Sequence, residues 1–343
     1  QTDSNGVATA SLVSVVAGNN TVTASVGSMT TAAKTATFVA DSSTATIADG
    51  DFTVTTDNAV ANGTATNALS ATVKDGQGNP VGNIAVTFAV TSGSATPATQ
   101  TVSTNTQGVA TASLVSVVAG NNAVTASVGS MTTAARTSSF VADSSTATIA
   151  SGHFTVTTDN AVANTTANNA VQAIVTDANG NPLAGQAVSF SAGNGATVTA
   201  VTGTTGADGL ATATLASATA GTSVVTATLS NGASATVNTT FVADSSTATI
   251  AAGDFTVTTD NALANTTANN AVQAIVTDAN GNPLAGQAVT FSANNNATVT
   301  AVTGTTGADG LATATLTSAT AGTSVVTATL SNGASATVNT TFV

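Results

Sequence analysis

The chain has no cysteine, tryptophan, tyrosine or glutamate, and only three of its 343 residues are basic. Without cysteine, it forms no disulfide and carries no cysteine nucleophile. The net charge is −12, and Lys34, Lys74 and Arg136 are the only basic residues. The chain therefore lacks the basic surface with which proteins bind the phosphates of nucleic acids. No run of about 18 apolar residues occurs, so we predict that this segment does not insert into a membrane.

Helix-forming patterns are also scarce. Glutamate is missing, lysine is nearly missing, all fifteen acidic residues are aspartate, and no heptad pattern occurs. The chain is instead rich in alanine, threonine, valine, serine, asparagine and glycine. Because threonine and valine favour strands, this composition predicts an all-β protein.

The chain is built from repeats. The segment at residues 38–48, FVADSSTATIA, returns at 140–150 and at 241–251, with offsets of 102 and 101 residues. This period is too long for a solenoid unit of roughly 20–50 residues, and it matches an independent domain of roughly 100–150 residues. We therefore predict the C-terminal part of a repeat at 1–40 (repeat one) and full repeats at 41–142, 143–243 and 244–343 (repeats two, three and four).

The repeats form two sub-types. Repeats three and four differ at seven of 100 aligned positions, whereas repeat two shares its Leu114–Val118 segment with repeat one. Residues 1–40 correspond to the last strands of a repeat. We expect upstream residues of a longer array to complete them, rather than strands supplied by another chain.

Strand signals are plain in repeat three. Apolar and polar residues alternate over 154–158, 187–192, 211–215 and 225–229. Turn-forming clusters lie at 177–182, 206–209 and 231–232, where Asn-Gly and Asp-Gly favour tight turns. Seven to eight short strands per repeat predict a two-sheet sandwich, with a barrel as the less favoured alternative.

The junction between two successive repeats, which we call a seam, has a composition typical of a structured segment. No Gly/Ser or Pro-rich spacer separates the repeats, so we expect the last strand of one repeat to pass almost directly into the first of the next, giving short, stiff junctions.

All ten aromatic residues are phenylalanine, three of them at equivalent places in each full repeat. We assign all ten rings to the core.

Candidate catalytic residues are few. His153 is the only histidine, and its counterpart in repeat four is Asp254. No histidine-based catalytic or zinc site can therefore form, and we interpret His153 as an exposed residue at a strand edge. Lys–Asn cross-links are excluded in repeats three and four, which lack lysine. We predict no catalytic residue, no bound cofactor and no enzyme activity.

Two groups of aspartate and asparagine side chains could bind calcium. Residues 177–181 place side-chain oxygens at positions 1, 3 and 5, as in an EF-hand loop, but Pro182 and Val188 stand where glycine and glutamate are needed, so we predict a turn. Asp41, Asp49, Asp51 and Asp57 could share a calcium ion at a seam. Repeat three offers only Asp143 and Asp159 there, which favours hydrogen bonds to backbone amides instead. We therefore predict no metal site.

The repeats resemble the bacterial Ig-like domain of group 1 (Big-1), which occurs in tandem in the invasin and intimin adhesins and related inverse autotransporters. The resemblance covers each full repeat. It rests in repeat four on segments 243–250, 259–262, 271–283, 289–292 and 305–310. It implies an Ig-like β-sandwich for each repeat and a tandem array of such domains.

The resemblance also implies a function. We expect an extracellular structural stalk of a bacterial surface adhesin, with an outer-membrane anchor and a receptor-binding tip in regions outside this segment. The expected partners are the neighbouring repeats and, through the tip, a host or surface receptor. The alternative is a self-assembling extracellular fibre in which copies of the same chain pack together.

Overall fold

The computed structural model describes all 343 residues, and its regular structure is β-strand apart from four short 3-10 helices. These helices are Ser42–Thr44, Asp49–Asp51, Ser144–Thr146 and Ser245–Thr247. None has the length or hydropathy needed to cross a membrane. The chain divides into two compact units, residues 1–146 with 176–181, and residues 147–175 with 182–343.

The first unit contains two strand pairs from repeat one and a two-sheet sandwich from repeat two. Its strands are β1 (Gly18–Val22), β2 (Ser25–Val26), β3 (Met29–Thr30), β4 (Lys34–Phe38), β5 (Phe52–Thr56), β6 (Ala59–Val60), β7 (Asn67–Thr72), β8 (Ala85–Ser92), β9 (Thr99–Ser103), β10 (Val109–Leu114), β11 (Gly120–Val128), β12 (Met131–Thr132) and β13 (Arg136–Val141). In repeat one, β1 pairs with β4 and β2 with β3. In repeat two, the sheets have the orders β10-β7-β5 and β6-β13-β11-β8-β9, with β12 beside β11.

The second unit contains the sandwiches of repeats three and four. Its strands are β14 (Phe154–Thr158), β15 (Ala161–Val162), β16 (Asn169–Ile174), β17 (Val188–Ala192), β18 (Thr197–Thr202), β19 (Leu210–Ala216), β20 (Gly221–Leu229), β21 (Ser234–Val242), β22 (Phe255–Thr259), β23 (Asn270–Ile275), β24 (Val289–Ala293), β25 (Thr298–Thr303), β26 (Leu311–Thr317), β27 (Gly322–Leu330) and β28 (Ser335–Phe342). In repeat three the sheets are β14-β16-β19-β18 and β15-β21-β20-β17. In repeat four they are β22-β23-β26-β25 and β24-β27-β28. The predicted all-β sandwich fold is confirmed.

The alternation seen in the sequence places one face of each strand in the core. In β19, Ala211, Ala213 and Leu215 are buried, whereas Thr212 and Thr214 point outward. The four strands predicted in repeat three correspond to β14, β17, β19 and β20. The predicted turns lie between strands, and at 231–232 the β20–β21 hairpin closes with Gly232 at φ +88°.

Most of the phenylalanine rings lie in the cores, as predicted. In each full repeat two rings from facing sheets approach each other, with centroids 6.0 Å apart for Phe52–Phe88 and 6.1 Å for Phe154–Phe190. Phe38, Phe190 and Phe291 are only half-buried. Phe190 and Phe291 still pack against core rings, with centroids 6.1 Å from Phe154 and 6.0 Å from Phe255.

Sheet order explains the difference between equivalent rings. Phe88 is 2% exposed because β8 lies between β11 and β9. Phe190 and Phe291 lie on β17 and β24, which are edge strands, so one side of each ring has no neighbouring strand. The contribution of each ring to stability therefore depends on its position in the sheet.

The seams are not continuous strands. After β4 and after β21 the chain forms a 3-10 helix whose first turn is capped by an aspartate: Asp41 accepts from the Ser43 amide (3.0 Å) and Asp244 from the Ser246 amide (3.1 Å). The next strands begin at Phe52 and Phe255. The expectation that one strand passes almost directly into the next is wrong, because the Asp-Ser-Ser segment stops the strand by capping.

Candidate functional site: a loop that binds the preceding repeat

Each full repeat carries a loop with aspartate at its first position and asparagine at its fifth. We call this the clamp loop: residues 75–79, 177–181 and 278–282. In the second of these, Asp177 Oδ1 accepts hydrogen bonds from the backbone amides of Asn179 (2.9 Å) and Asn181 (2.8 Å). Asp177 Oδ2 accepts from the Asp143 amide (3.0 Å) and from Asn181 Nδ2 (2.8 Å). Residues 177–181 thus form the predicted turn, and a single carboxylate holds it closed.

The asparagine at the fifth position binds the main chain of the preceding repeat. Asn181 Nδ2 donates to the Val117 carbonyl (2.9 Å), and its Oδ1 accepts from the Ala119 amide (2.8 Å). Asn79 binds Val15 O and Ala17 N in the same way (both 2.9 Å), and Asn282 binds Ala218 O (2.9 Å) and Ala220 N (2.8 Å). All three clamp loops therefore make the same two-point contact.

The segment that receives each asparagine has a fixed shape of its own. We call it the acceptor loop: residues 14–17, 116–119 and 217–220. Ser116 Oγ accepts from the Val118 amide (3.0 Å) and donates to the Val118 carbonyl (2.7 Å). Ser14 and Ser217 make the equivalent pairs. This serine turn orients the carbonyl and amide that the clamp asparagine binds.

A second amide contact is present in the two later clamp loops. Asn179 Nδ2 donates to the Ala61 carbonyl (3.0 Å), and Asn280 Nδ2 donates to the Ala163 carbonyl (2.9 Å). The equivalent position of the first clamp loop is Gln77. The bonds that the clamp asparagines make to the preceding repeat thus all end on backbone atoms.

The clamp aspartates are held in their charged form. The hydrogen bond from the Asn79 side chain is the main cause that lowers the pKa of Asp75 from its ordinary 3.8 to about 2. Burial by itself raises the pKa of Asp177 and of Asp278. Hydrogen bonds from the side chains of Asn181 and Asn282, and from three backbone amides each, outweigh it and lower both pKa values overall.

Acid should therefore destabilise the chain between about pH 4 and pH 2. Because the pKa of Asp75 is lower in the folded chain than in the unfolded one, the unfolded chain binds protons first as the pH falls, and stability declines through this window. Melting temperatures measured from pH 7 to pH 2 should be level above pH 5 and fall below it. Asp75→Asn should make this decline shallower; an identical decline would exclude a contribution from Asp75.

The seam aspartates are bound by separate protein donors. Asp49 Oδ1 accepts from the Ala134 amide (2.7 Å), Asp51 pairs with Lys74 Nζ (2.7 Å), and Asp57 Oδ1 accepts from the Ser139 amide (2.6 Å). Asp41 and Asp143 cap the 3-10 helices, and Asp159 accepts from the Thr240 amide (2.7 Å). No three acidic or histidine side chains lie close enough together to bind one metal ion. This arrangement favours backbone hydrogen bonding over a shared ion.

Calcium should therefore leave the stability unchanged. Each seam carboxylate already has a hydrogen-bond donor or a cation, so an added ion would have to displace these contacts. We expect thermal melts in millimolar calcium and in excess chelator to coincide. A rise of the melting temperature with calcium would show that the aspartates gather around an ion.

His153 is half-buried, so the prediction of an exposed residue is wrong. Its amide donates to the Ala150 carbonyl (2.9 Å) and its carbonyl accepts from the Ile174 amide (2.9 Å), while Nδ1 is buried without a partner. Asp254 has the same backbone bonds in repeat four. The main chain, rather than the side chain, determines this position.

The clamp was not predicted from the sequence, which indicated only a turn at 177–181. The sequence contains one regularity that links the two loops: each clamp asparagine lies 62 residues after the alanine of its acceptor loop. Both segments recur with the period of the repeat, so the constant spacing does not distinguish a contact from coincidence.

The fold and these contacts define a class of protein: tandem Ig-like β-sandwiches in which a loop of each repeat binds the repeat before it. The family described as bacterial Ig-like domain (group 1) matches residues 49–141, 151–242 and 252–343, and the chain belongs to this family. Adhesins built from these repeats are not enzymes, as predicted for this chain.

Known proteins agree with this membership. The chain is 33% identical over 202 residues to the inverse autotransporter adhesin YeeJ of Escherichia coli strain K12, an alignment that spans 58% of this chain and 8% of YeeJ. The fold is similar to that of the E. coli adhesin FdeC (TM-score 0.53, 23% identity, 89% of this chain and 100% of that one). It is also similar to InvD of Yersinia pseudotuberculosis (TM-score 0.53, 18% identity, 88% and 98%).

Proposed function

We propose that this chain is part of the extracellular stalk of a bacterial surface adhesin, and that it separates an outer-membrane anchor from a receptor-binding tip. The observation that carries the proposal is the clamp, which recurs with the same geometry in all three full repeats. A spacer needs such a repeated contact because every junction must resist bending in the same way.

The chemistry of the surface supports a structural role. The polar side chains that recur in every full repeat, such as Asn79, Asn181 and Asn282, bind main-chain atoms. Near-identical repeats three and four offer no distinct constellation of reactive groups. The similarity to the inverse autotransporter adhesin YeeJ supports an extracellular location for the proposed stalk.

A competition experiment tests the proposal. The purified chain, added in excess, should not reduce adhesion of bacteria that display the whole protein, because receptor contact is assigned to the tip. Removing residues 244–343 from the whole protein should bring a tip epitope closer to the cell surface. Competition by the purified chain would place receptor binding in the repeats and overturn the stalk proposal, whereas filaments formed by the chain alone would support the fibre.

A further inference from the structure

The clamp asparagines form hydrogen bonds with the main chain of the preceding repeat and not with its side chains. The bonds made by Asn181 end on the Val117 carbonyl and the Ala119 amide, and the bond made by Asn179 ends on the Ala61 carbonyl. Any residue supplies a carbonyl, and any residue except proline supplies an amide. Recognition of this kind depends on backbone shape alone.

The acceptor loops differ in sequence and keep that shape. Residues 14–17 and 116–119 both read Ser-Val-Val-Ala, whereas residues 217–220 read Ser-Ala-Thr-Ala. The clamp distances are nevertheless 2.9 Å to the carbonyl in all three cases and 2.8–2.9 Å from the amide. The serine at the first position, common to all three, maintains the turn.

Each repeat accommodates its own loop sequence internally. In repeat two, a Cβ on Gly63 would lie 3.1 Å from Val117 Cγ1, so the larger valine is matched by a glycine. In repeat three the equivalent residues are Thr165 and Ala218. The amides of Gly63 and Thr165 still donate to the corresponding serine carbonyls (2.9 and 3.0 Å). The difference in side-chain size between the two acceptor-loop sequences is therefore compensated by a residue of the same repeat.

We infer that the clamp lets a repeat of either sub-type follow a repeat of either sub-type, so that repeats can be removed, added or reordered without loss of the junction. The rule is specific: the following repeat supplies the clamp asparagine, and the preceding one supplies an acceptor loop with serine first and a residue other than proline fourth. The seam sequence FVADSSTATIA is identical at 38–48, 140–150 and 241–251, so exchange also preserves the connecting segment. The inference holds whether the array is a stalk or a fibre.

A shortened chain tests this directly. Removing residues 143–243 joins Ala142 to Asp244 and brings the clamp loop of repeat four to the acceptor loop of repeat two. Amide hydrogen exchange at Ala119 reports the new bond, which Asn282 should supply in place of Asn181. We expect the Ala119 protection of the whole chain to be retained, and Asn282→Ala in the shortened chain to reduce it roughly fivefold to tenfold.

The controls separate the clamp from general folding. Asn332→Ala removes an asparagine of repeat four that bonds within its own repeat, to the Ala248 carbonyl, and should leave Ala119 unchanged. Ala119 exchanging as fast in the shortened chain as in its Asn282→Ala variant would overturn the inference. In the whole chain, the double substitution Val117→Ala with Val118→Thr converts one acceptor loop to the other sub-type. Loss of Ala119 protection there would also overturn it, even if the shortened chain did not fold.

Discussion

Phe241→Ala should destabilise repeat three by about 3–5 kcal/mol, a large share of the roughly 5–15 kcal/mol typical of a whole domain. The ring is 1% exposed and lies on β21, beside β20 on one side and β15 on the other. Its removal loses the transfer free energy of the ring and leaves a cavity that neighbouring strands cannot fill. Calorimetry of the whole chain should show one transition moving to lower temperature while the others remain.

Phe190→Ala is the matched comparison within the same repeat. Its ring is half-buried on the edge strand β17, so less apolar area is lost and solvent can occupy the space. We expect a clearly smaller loss of stability than for Phe241→Ala. Equal effects of the two substitutions would contradict the burial difference, and no effect of either would contradict the core itself.

These two phenylalanines show how far sequence patterns reach. Both rings were assigned to the core from the sequence, which gave no reason to rank one above the other. Their difference arises from sheet order, because Phe190 lies on the edge strand β17 whereas Phe241 lies on β21, which has β15 and β20 on its two sides. Which strands pair at a sheet edge is a long-range property that local alternation does not contain.

Two strands of repeat three, β16 and β18, were not predicted because each departs locally from the alternation of apolar and polar residues. In β16 the inward positions are Asn169, Val171 and Ala173, and a buried asparagine breaks the apolar pattern. That asparagine accepts from the Ala161 amide (2.9 Å) and donates to the Thr240 carbonyl (2.9 Å), contacts that only the folded chain shows. In β18 a bulge between Ala200 and Thr202 shifts the register and interrupts the alternation.

The clamp marks a second limit of sequence reasoning. The aspartate and asparagine of residues 177–181 predict a turn, and the turn is present. Their role toward the preceding repeat depends on Asn181 Oδ1 accepting a hydrogen bond from the Ala119 amide, 62 residues earlier. Turn chemistry is local and therefore predictable, whereas the partner of a side chain that points out of the turn depends on how the repeats pack.

Gly310→Ala should destabilise repeat four by about 2–5 kcal/mol, through backbone strain and overpacking together. Gly310 has φ +73°, a conformation that costs other residues roughly 1–2 kcal/mol. A Cβ at this position would lie 2.5 Å from the Val276 carbonyl oxygen and 3.3 Å from Leu284 N, so the backbone itself would have to move. Thermal or denaturant unfolding measures the loss.

Gly333→Ala separates the two causes. Gly333 has φ +88° but open space around its Cα, so alanine there should cost only the strain of about 1–2 kcal/mol. Val276 and Leu284 flank the clamp loop at 278–282, so Gly310→Ala should also speed amide exchange at Ala220, which Asn282 protects. Gly333→Ala should not. Equal losses of stability in the two variants, with Ala220 still protected in both, would contradict the idea that the packing of Gly310 against Val276 and Leu284 supports the clamp loop.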